Sequence, residues 1–228
     1  MRDSGVRIRR DEFGCFIMKV RKSFDYLLLT LVLLIAADRY YPIAWQLLPQ
    51  EAGASIDRNA GLDIVRTARS QIGVTVKYAP AYEAIEYPNG DVPRARGVCT
   101  DVLIRALRDS RGIDLQPLIY KDMKWHRWAY PFKSIAQSVD PSIVHRRVLN
   151  MECYFRRHDW TVASNAVGDF LPGDIVTCRV SGMLPHVMIV SDRTDTNGVP
   201  LVIHNIGEGV KEEPYLLANK VAGHFRCR

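Results

Sequence analysis

The sequence predicts an α+β domain, with helices first and a small antiparallel sheet after them. Three observations predict it. Over residues 57–71 and again over 99–112 the apolar residues recur at the spacing of amphipathic helices. After residue 174 the pattern turns to short β-type runs separated by turn chemistry. The two kinds of segment are segregated along the chain, without internal repeats, which is the α+β arrangement.

The elements follow in order. A helix is expected from about Asp57 to Gln71, capped by Ser55 or Asp57. Leu62, Val65 and Ile72 lie on its apolar face, and Gly73 stops it. Residues 74–98 read as irregular, punctuated by Pro80, Pro88, Asn89-Gly90 and Pro93. A second helix starts at or near Cys99. Val102, Leu103, Ala106 and Leu107 face inward, Arg105 and Arg108 face water, and Gly112 ends it. Residues 120–132 are aromatic and basic, and Trp125, Trp128 and Tyr130 are expected to pack in the core. Asn150 is expected to cap a short helix through Arg157. Strands are expected over 175–180, 186–190 and 201–205, with Ser181-Gly182 and Asn197-Gly198 in the turns. A last strand runs from Val221 to Cys227.

The front of the chain stands apart. Residues 26–37 (YLLLTLVLLIAA) carry no charge and follow Lys19, Arg21 and Lys22. The run is shorter than the roughly 20 residues a membrane span needs. It reads as a signal-peptide core with a cleavage site at Ile35-Ala36-Ala37. An uncleaved anchor with Tyr40, Tyr41 and Trp45 at the interface competes with that reading, and a buried core helix is the third. Met18 opens a more typical signal than Met1, so the residues before it read as a mis-assigned start. Residues 1–48 are therefore assigned to a signal peptide or membrane anchor, 49–56 to a linker and 57–228 to an exported, periplasmic domain, free or held at the inner membrane.

Charge and cysteine usage exclude several classes. Of a net charge of +6, much comes from Arg2, Arg7, Arg9, Arg10, Lys19, Arg21 and Lys22. No basic stripe with interleaved aromatics marks a nucleic-acid reader. The remaining mild basic bias suits an anionic membrane or cell-wall polymer. The five cysteines, Cys15, Cys99, Cys153, Cys178 and Cys227, are widely spaced and include no CxxC pair. That argues against a zinc site and a disulfide framework. No metal or cofactor is expected, and the chain is read as a monomer.

A lone cysteine is most often a small buried hydrophobe. Three features single out Cys99. It sits at a loop-to-helix junction, where N–H groups and the helix dipole favour a thiolate. Gly97 permits a sharp backbone approach. A histidine and a second polar residue lie downstream on paired strands. Two antiparallel registers are open: one sets His186 opposite His204, the other sets His186 opposite Asn205. Either His204 or Asn205 can supply the third group that fixes an imidazole's tautomer. His126, His145 and His158 read as surface or loop residues, and Cys153, Cys178 and Cys227 as structural.

Several segments carry a resemblance. Gly97-Val-Cys-Thr-Asp-Val-Leu103, Leu171-Pro-Gly-Asp-Ile-Val176, Pro185-His-Val-Met-Ile-Val-Ser-Asp192 and Ile203-His-Asn-Ile-Gly207 closely resemble a bacterial domain-of-unknown-function family, number twelve eighty-seven. Gly90-Asp-Val-Pro93 and Gly223-His-Phe-Arg226 resemble it too, so the likeness runs from about Ala60 to the C-terminus. That family in turn resembles the NlpC-type cell-wall peptidases of the papain-like superfamily. The resemblance implies a papain-like fold, with Cys99 as nucleophile, His186 as general base and His204 as the orienting residue. It also implies that Tyr78 is the tyrosine near the nucleophile and that Asp174 is structural. Val98 replaces the family's Asp before the cysteine, and Thr100-Asp101 replace Ser-Gly. Asp101 is therefore read as a partner of Arg96, a substrate contact, or an acid stabilising its own helix start.

The expected function is that of an exported cysteine peptidase or amidase. It would cleave an amide bond in peptidoglycan through a thioester, and its Cys99 would alkylate rapidly at neutral pH. Two alternatives use the same fold: a non-catalytic cell-envelope binding module acting through Trp125, Trp128 and Tyr130, and an acyltransferase with the same Cys–His pair.

Overall fold

The computed structural model describes residues 58–131 and 138–227. The expectations for residues 1–48 and 49–56 lie outside the described residues. Asp57–Arg228 forms a unit by itself. The domain is α+β, as the sequence predicts: among the described residues, four helices accompany a five-stranded antiparallel sheet.

The first helix, α1 (Arg58–Arg69), buries Ile64, Val65 and Ala68. It ends before Ile72, which lies in the following turn and is exposed, and Leu62 faces outward too. Its last residue reaches the sheet: Arg69 Nε and Nη2 donate to the two Glu212 carboxylate oxygens at 3.0 and 2.6 Å. The loop to Cys99 holds only two-residue parallel strands, β1 (Lys77–Tyr78) and β2 (Arg96–Gly97).

The second helix, α2 (Cys99–Arg111), is where the sequence expects it. Gly112, at φ +66°, ends it in the left-handed conformation. Its buried face holds Val102, Leu103, Ala106 and Leu107. Arg105 is a correction, because it is wholly buried and not wet. Its guanidinium is saturated by Asp91, Thr75 Oγ1 and the carbonyls of Val92 and Arg96. A buried charge is tolerated when paired in this way. A helix that periodicity missed follows: α3 (Leu115–Trp125) is capped by Asp114, which accepts the Gln116 N–H at 3.1 Å. In α4 (Val148–Arg157), Asn150 sits inside the helix and binds the Val144 carbonyl, so it is not the cap.

The sheet runs β6-β5-β4-β3-β7. Its strands are β3 (Ile175–Val180), β4 (Leu184–Thr194), β5 (Pro200–Asn205), β6 (Val210–Glu213) and β7 (Val221–Phe225). Strand β6 was not expected, because three of its four residues are charged. Side-chain alternation divides the sheet into two faces. Ile175, Val187, Ile189, Ile203 and Phe225 pack with the helices in the larger core. Val176, Cys178, Met188, Val190 and Val202 pack with Phe170 and Leu216 in the smaller one.

Two expectations about aromatic and titratable residues are also corrected. Tyr130 is buried, but Trp125 and Trp128 are among the most exposed side chains of the domain. His145 is buried rather than on the surface. Burial first, then the neighbouring Arg146 charge, pushes its pKa down to about 4.

Candidate active site

Cys99 opens α2. The N–H of Val98, the cap residue, donates to Asp101 at 2.7 Å, which ties the helix start down. The other face of Asp101 is held by Arg146, whose Nε and Nη2 donate at 2.7 and 2.9 Å. Both side chains are buried. Asp101 therefore builds the helix start, and Arg96 pairs instead with Glu83. Gly97 is required by the close approach: a Cβ there would stand 3.0 Å from the Asp101 side chain. Asn205 at the end of β5 donates to the Gly97 carbonyl at 3.0 Å and clamps the segment before Cys99 to the sheet.

The strand register differs from both expected ones. Ile189 stands opposite Ile203 and Val190 opposite Val202. The pairing is irregular between Val190 and Thr194, which shifts the register set by the turn. Continued, it places Met188 opposite His204, so His186 meets His204 on the diagonal and on the same face. The rings are in direct contact: His186 Nε2 and His204 Nδ1 are 2.7 Å apart. His204 Nε2 in turn lies 3.0 Å from Glu213 Oε1. Parity sends Asn205 to the other face, so His204 is the imidazole partner of His186. Glu213 was missed because β6 was missed; its place opposite Val202 brings it beside His204. Tyr215 packs on both rings, with centroids 6.3 and 4.9 Å away.

The sulfur and the histidines approach from different sides. Cys99 lies in the larger core with Val187 and Ile203, while His186 and His204 share the parity of Cys178 and Met188. They meet near one peptide: the Val187 N–H, one bond beyond His186, is close enough to the Cys99 thiol to lower its pKa. Among the described residues the His186 ring has a hydrogen bond to His204 and none to the thiol.

The resting groups are neutral. Burial pushes the Cys99 thiol up to about 11, against the backbone N–H of Val187, which lowers it. Burial therefore opposes the expected thiolate: at 6% exposure, desolvation works against the pull of the helix start. Burial, and then the His204 charge, hold His186 down to about 3. His204 is also lowered by burial, opposed by Glu213. Tyr78 is exposed at 40%, and its hydroxyl pKa is raised by burial and then by the charges of Cys99 and Asp101. His224 is fixed elsewhere, 2.8 Å from Asp174. Among the described residues no three His, Cys, Asp or Glu side chains cluster as metal ligands.

Two comparisons place the chain among known proteins. The model of the "Domain of unknown function (DUF1287)" matches residues 65–227. The chain is 48% identical over 172 residues to "Uncharacterized protein YijF" of Escherichia coli (strain K12), covering 75% of this chain and 83% of that protein. With a family model that spans the end of α1, the other three helices, the sheet and every candidate site residue, the chain belongs to the DUF1287 family.

Proposed function

We propose that this chain is an exported cysteine hydrolase with a papain-like, NlpC-type fold that cleaves an amide bond of peptidoglycan. The observation that carries the reading is the hydrogen-bonded series His186–His204–Glu213, which ends beside the peptide facing Cys99. A carboxylate only accepts hydrogen bonds. Glu213 therefore accepts a hydrogen bond from His204 Nε2–H, leaving His204 Nδ1 as an acceptor. His186 must then donate from Nε2, and its Nδ1 carries a free lone pair. The series selects the tautomer that a general base needs.

With a neutral thiol, proton transfer accompanies attack. As the Cys99 Sγ–carbonyl bond forms, one water relays the Sγ–H proton to His186 Nδ1, because the sulfur and the ring lie on different sides of the Val187 peptide. The imidazolium delivers it to the amine as the C–N bond breaks, leaving a thioester. His186 then takes a proton from water, which attacks the thioester, and the thiol is regenerated with a carboxylic acid product. The Cys99 N–H at the helix start and the Tyr78 hydroxyl are the candidate oxyanion donors. If an amine or alcohol replaces the water, the same pair performs acyl transfer.

Peptidoglycan as substrate rests on the NlpC resemblance and on the export signal read in residues 26–37. The test is release of muropeptides from sacculi by the purified chain, read by product mass. Loss of release in Cys99→Ala and His186→Ala is expected, and parental release by Cys99→Ala overturns the reading. The burial of Cys99 favours a second reading, a non-catalytic binding module. It predicts unchanged sacculus binding in Cys99→Ala with no product from either protein.

A further inference from the structure

Two tryptophans lie outside both cores. Trp125 ends α3 and is 81% exposed; Trp128, in the 3₁₀ turn that follows (Arg127–Ala129), is 78% exposed. Two tryptophans this exposed within one turn are an uncommon use of the largest apolar side chain, which is enriched at interfaces. Only two residues, His126 and Arg127, lie between them, so their backbones are at most about 11 Å apart and both rings flank one turn. Its base is fixed. Asp122 in the last turn of α3 accepts the Tyr130 hydroxyl at 2.7 Å, Arg157 Nε at 2.9 Å and His126 Nδ1 at 2.8 Å. These bonds span the turn that carries both tryptophans and fix its backbone.

The rim is cationic. Lys121 and Lys124 are exposed, and Arg127 stands between the tryptophans in sequence. Asp122 is the one acid in residues 115–131, and its side chain is 7% exposed beneath three partners. A sugar platform needs free carboxylate or carboxamide acceptors for hydroxyls beside its rings, and this patch offers cations instead. Tryptophan with lysine is the composition of a surface that sits at the headgroups of an anionic bilayer.

We propose that this face seats the domain on an anionic lipid bilayer, with Trp125 and Trp128 in the headgroup layer and Lys121 and Lys124 against phosphates. The proposal does not depend on the cysteine chemistry. The test reconstitutes the full chain in vesicles of phosphatidylglycerol and phosphatidylethanolamine with brominated acyl chains. Tryptophan emission of the parent is compared with that of Trp125→Phe/Trp128→Phe. The difference isolates the two rings from Trp45 and Trp160. It should be blue-shifted and quenched by about twofold or more, as for indoles at the interface. Phosphatidylcholine vesicles, or Lys121→Glu/Lys124→Glu on the parent background, should abolish that quenching. A difference emission that stays unquenched and at the water-exposed wavelength in anionic vesicles overturns the proposal. A shift produced by sacculi and not by those vesicles also overturns it, in favour of a glycan ligand.

Discussion

At the scale of single residues, the site depends on the order of three acceptors and donors. His204 lies between the His186 ring and a carboxylate, and its two nitrogens are both engaged. Replacing His204 with Ala frees the His186 ring to turn and to change tautomer. Muropeptide release should fall by roughly 10²–10⁴-fold, the usual share of general acid–base catalysis. Glu213→Gln is a finer probe, because a carboxamide can donate as well as accept. It should lower turnover while leaving the thermal midpoint within a few degrees, and parental turnover in both variants would remove Glu213 and His204 from the mechanism. The thiol makes a separate prediction. A pKa near 11 rather than 9.0 leaves about a hundredfold less thiolate at neutral pH. Iodoacetamide should label Cys99 in the folded chain at least that much more slowly than in urea. Equal rates would mean that the resting thiol is not buried.

At the scale of elements, the decisive piece is the start of α2. Val98, Asp101 and Arg146 form one buried hydrogen-bonded unit that sets where Cys99 stands. Asp101→Ala removes the cap partner and leaves Arg146 buried without its carboxylate. Loss of one partner of a buried pair costs about 3–5 kcal/mol. Urea unfolding should show that loss, and a change below about 1 kcal/mol would contradict the account of this junction. Much of this element was legible in the sequence, because apolar spacing, Cys99 and Gly112 mark a helix whose ends obey local rules. Arg105 was not legible: its type and spacing say solvent, and only tertiary closure of the 74–98 loop supplies the four partners that bury it. The hairpin that carries His186 and His204 was half legible. Alternation and turn residues located β4 and β5, but the register depends on an irregularity near Val190 that has no sequence signal. Strand β6 and Glu213 were hidden because Lys211, Glu212 and Glu213 read as a charged turn. Their bonds to Arg69, His204 and the neighbouring strand appear only in the folded sheet.

At the scale of the whole molecule, buried neutral histidines couple stability to pH. His186 and His145 are held down to about 3 and about 4, while their unfolded values lie near 6.5. Below about pH 6.5 the unfolded chain takes up protons that the folded chain refuses. Stability is therefore full above that pH and is lost on acidification until the folded values are reached. Each histidine contributes about 2 kcal/mol of loss between pH 6.5 and pH 5. Asp174, Glu152 and Asp122 have lowered values, so their contribution is lost only below about pH 4 and does not mask this window. The urea midpoint should fall clearly between pH 7 and pH 5, and a flat profile would place both rings in water.

The central claim is that Cys99 becomes acylated. It is tested most directly by acid-quenching the purified chain during turnover of a defined muropeptide and measuring its intact mass. The account predicts a mass gain equal to the acyl fragment, mapped to the peptide that carries Cys99, absent in Cys99→Ala and in His186→Ala. Product formation at the parental rate by Cys99→Ala, with no mass gained on the parent chain, would contradict it.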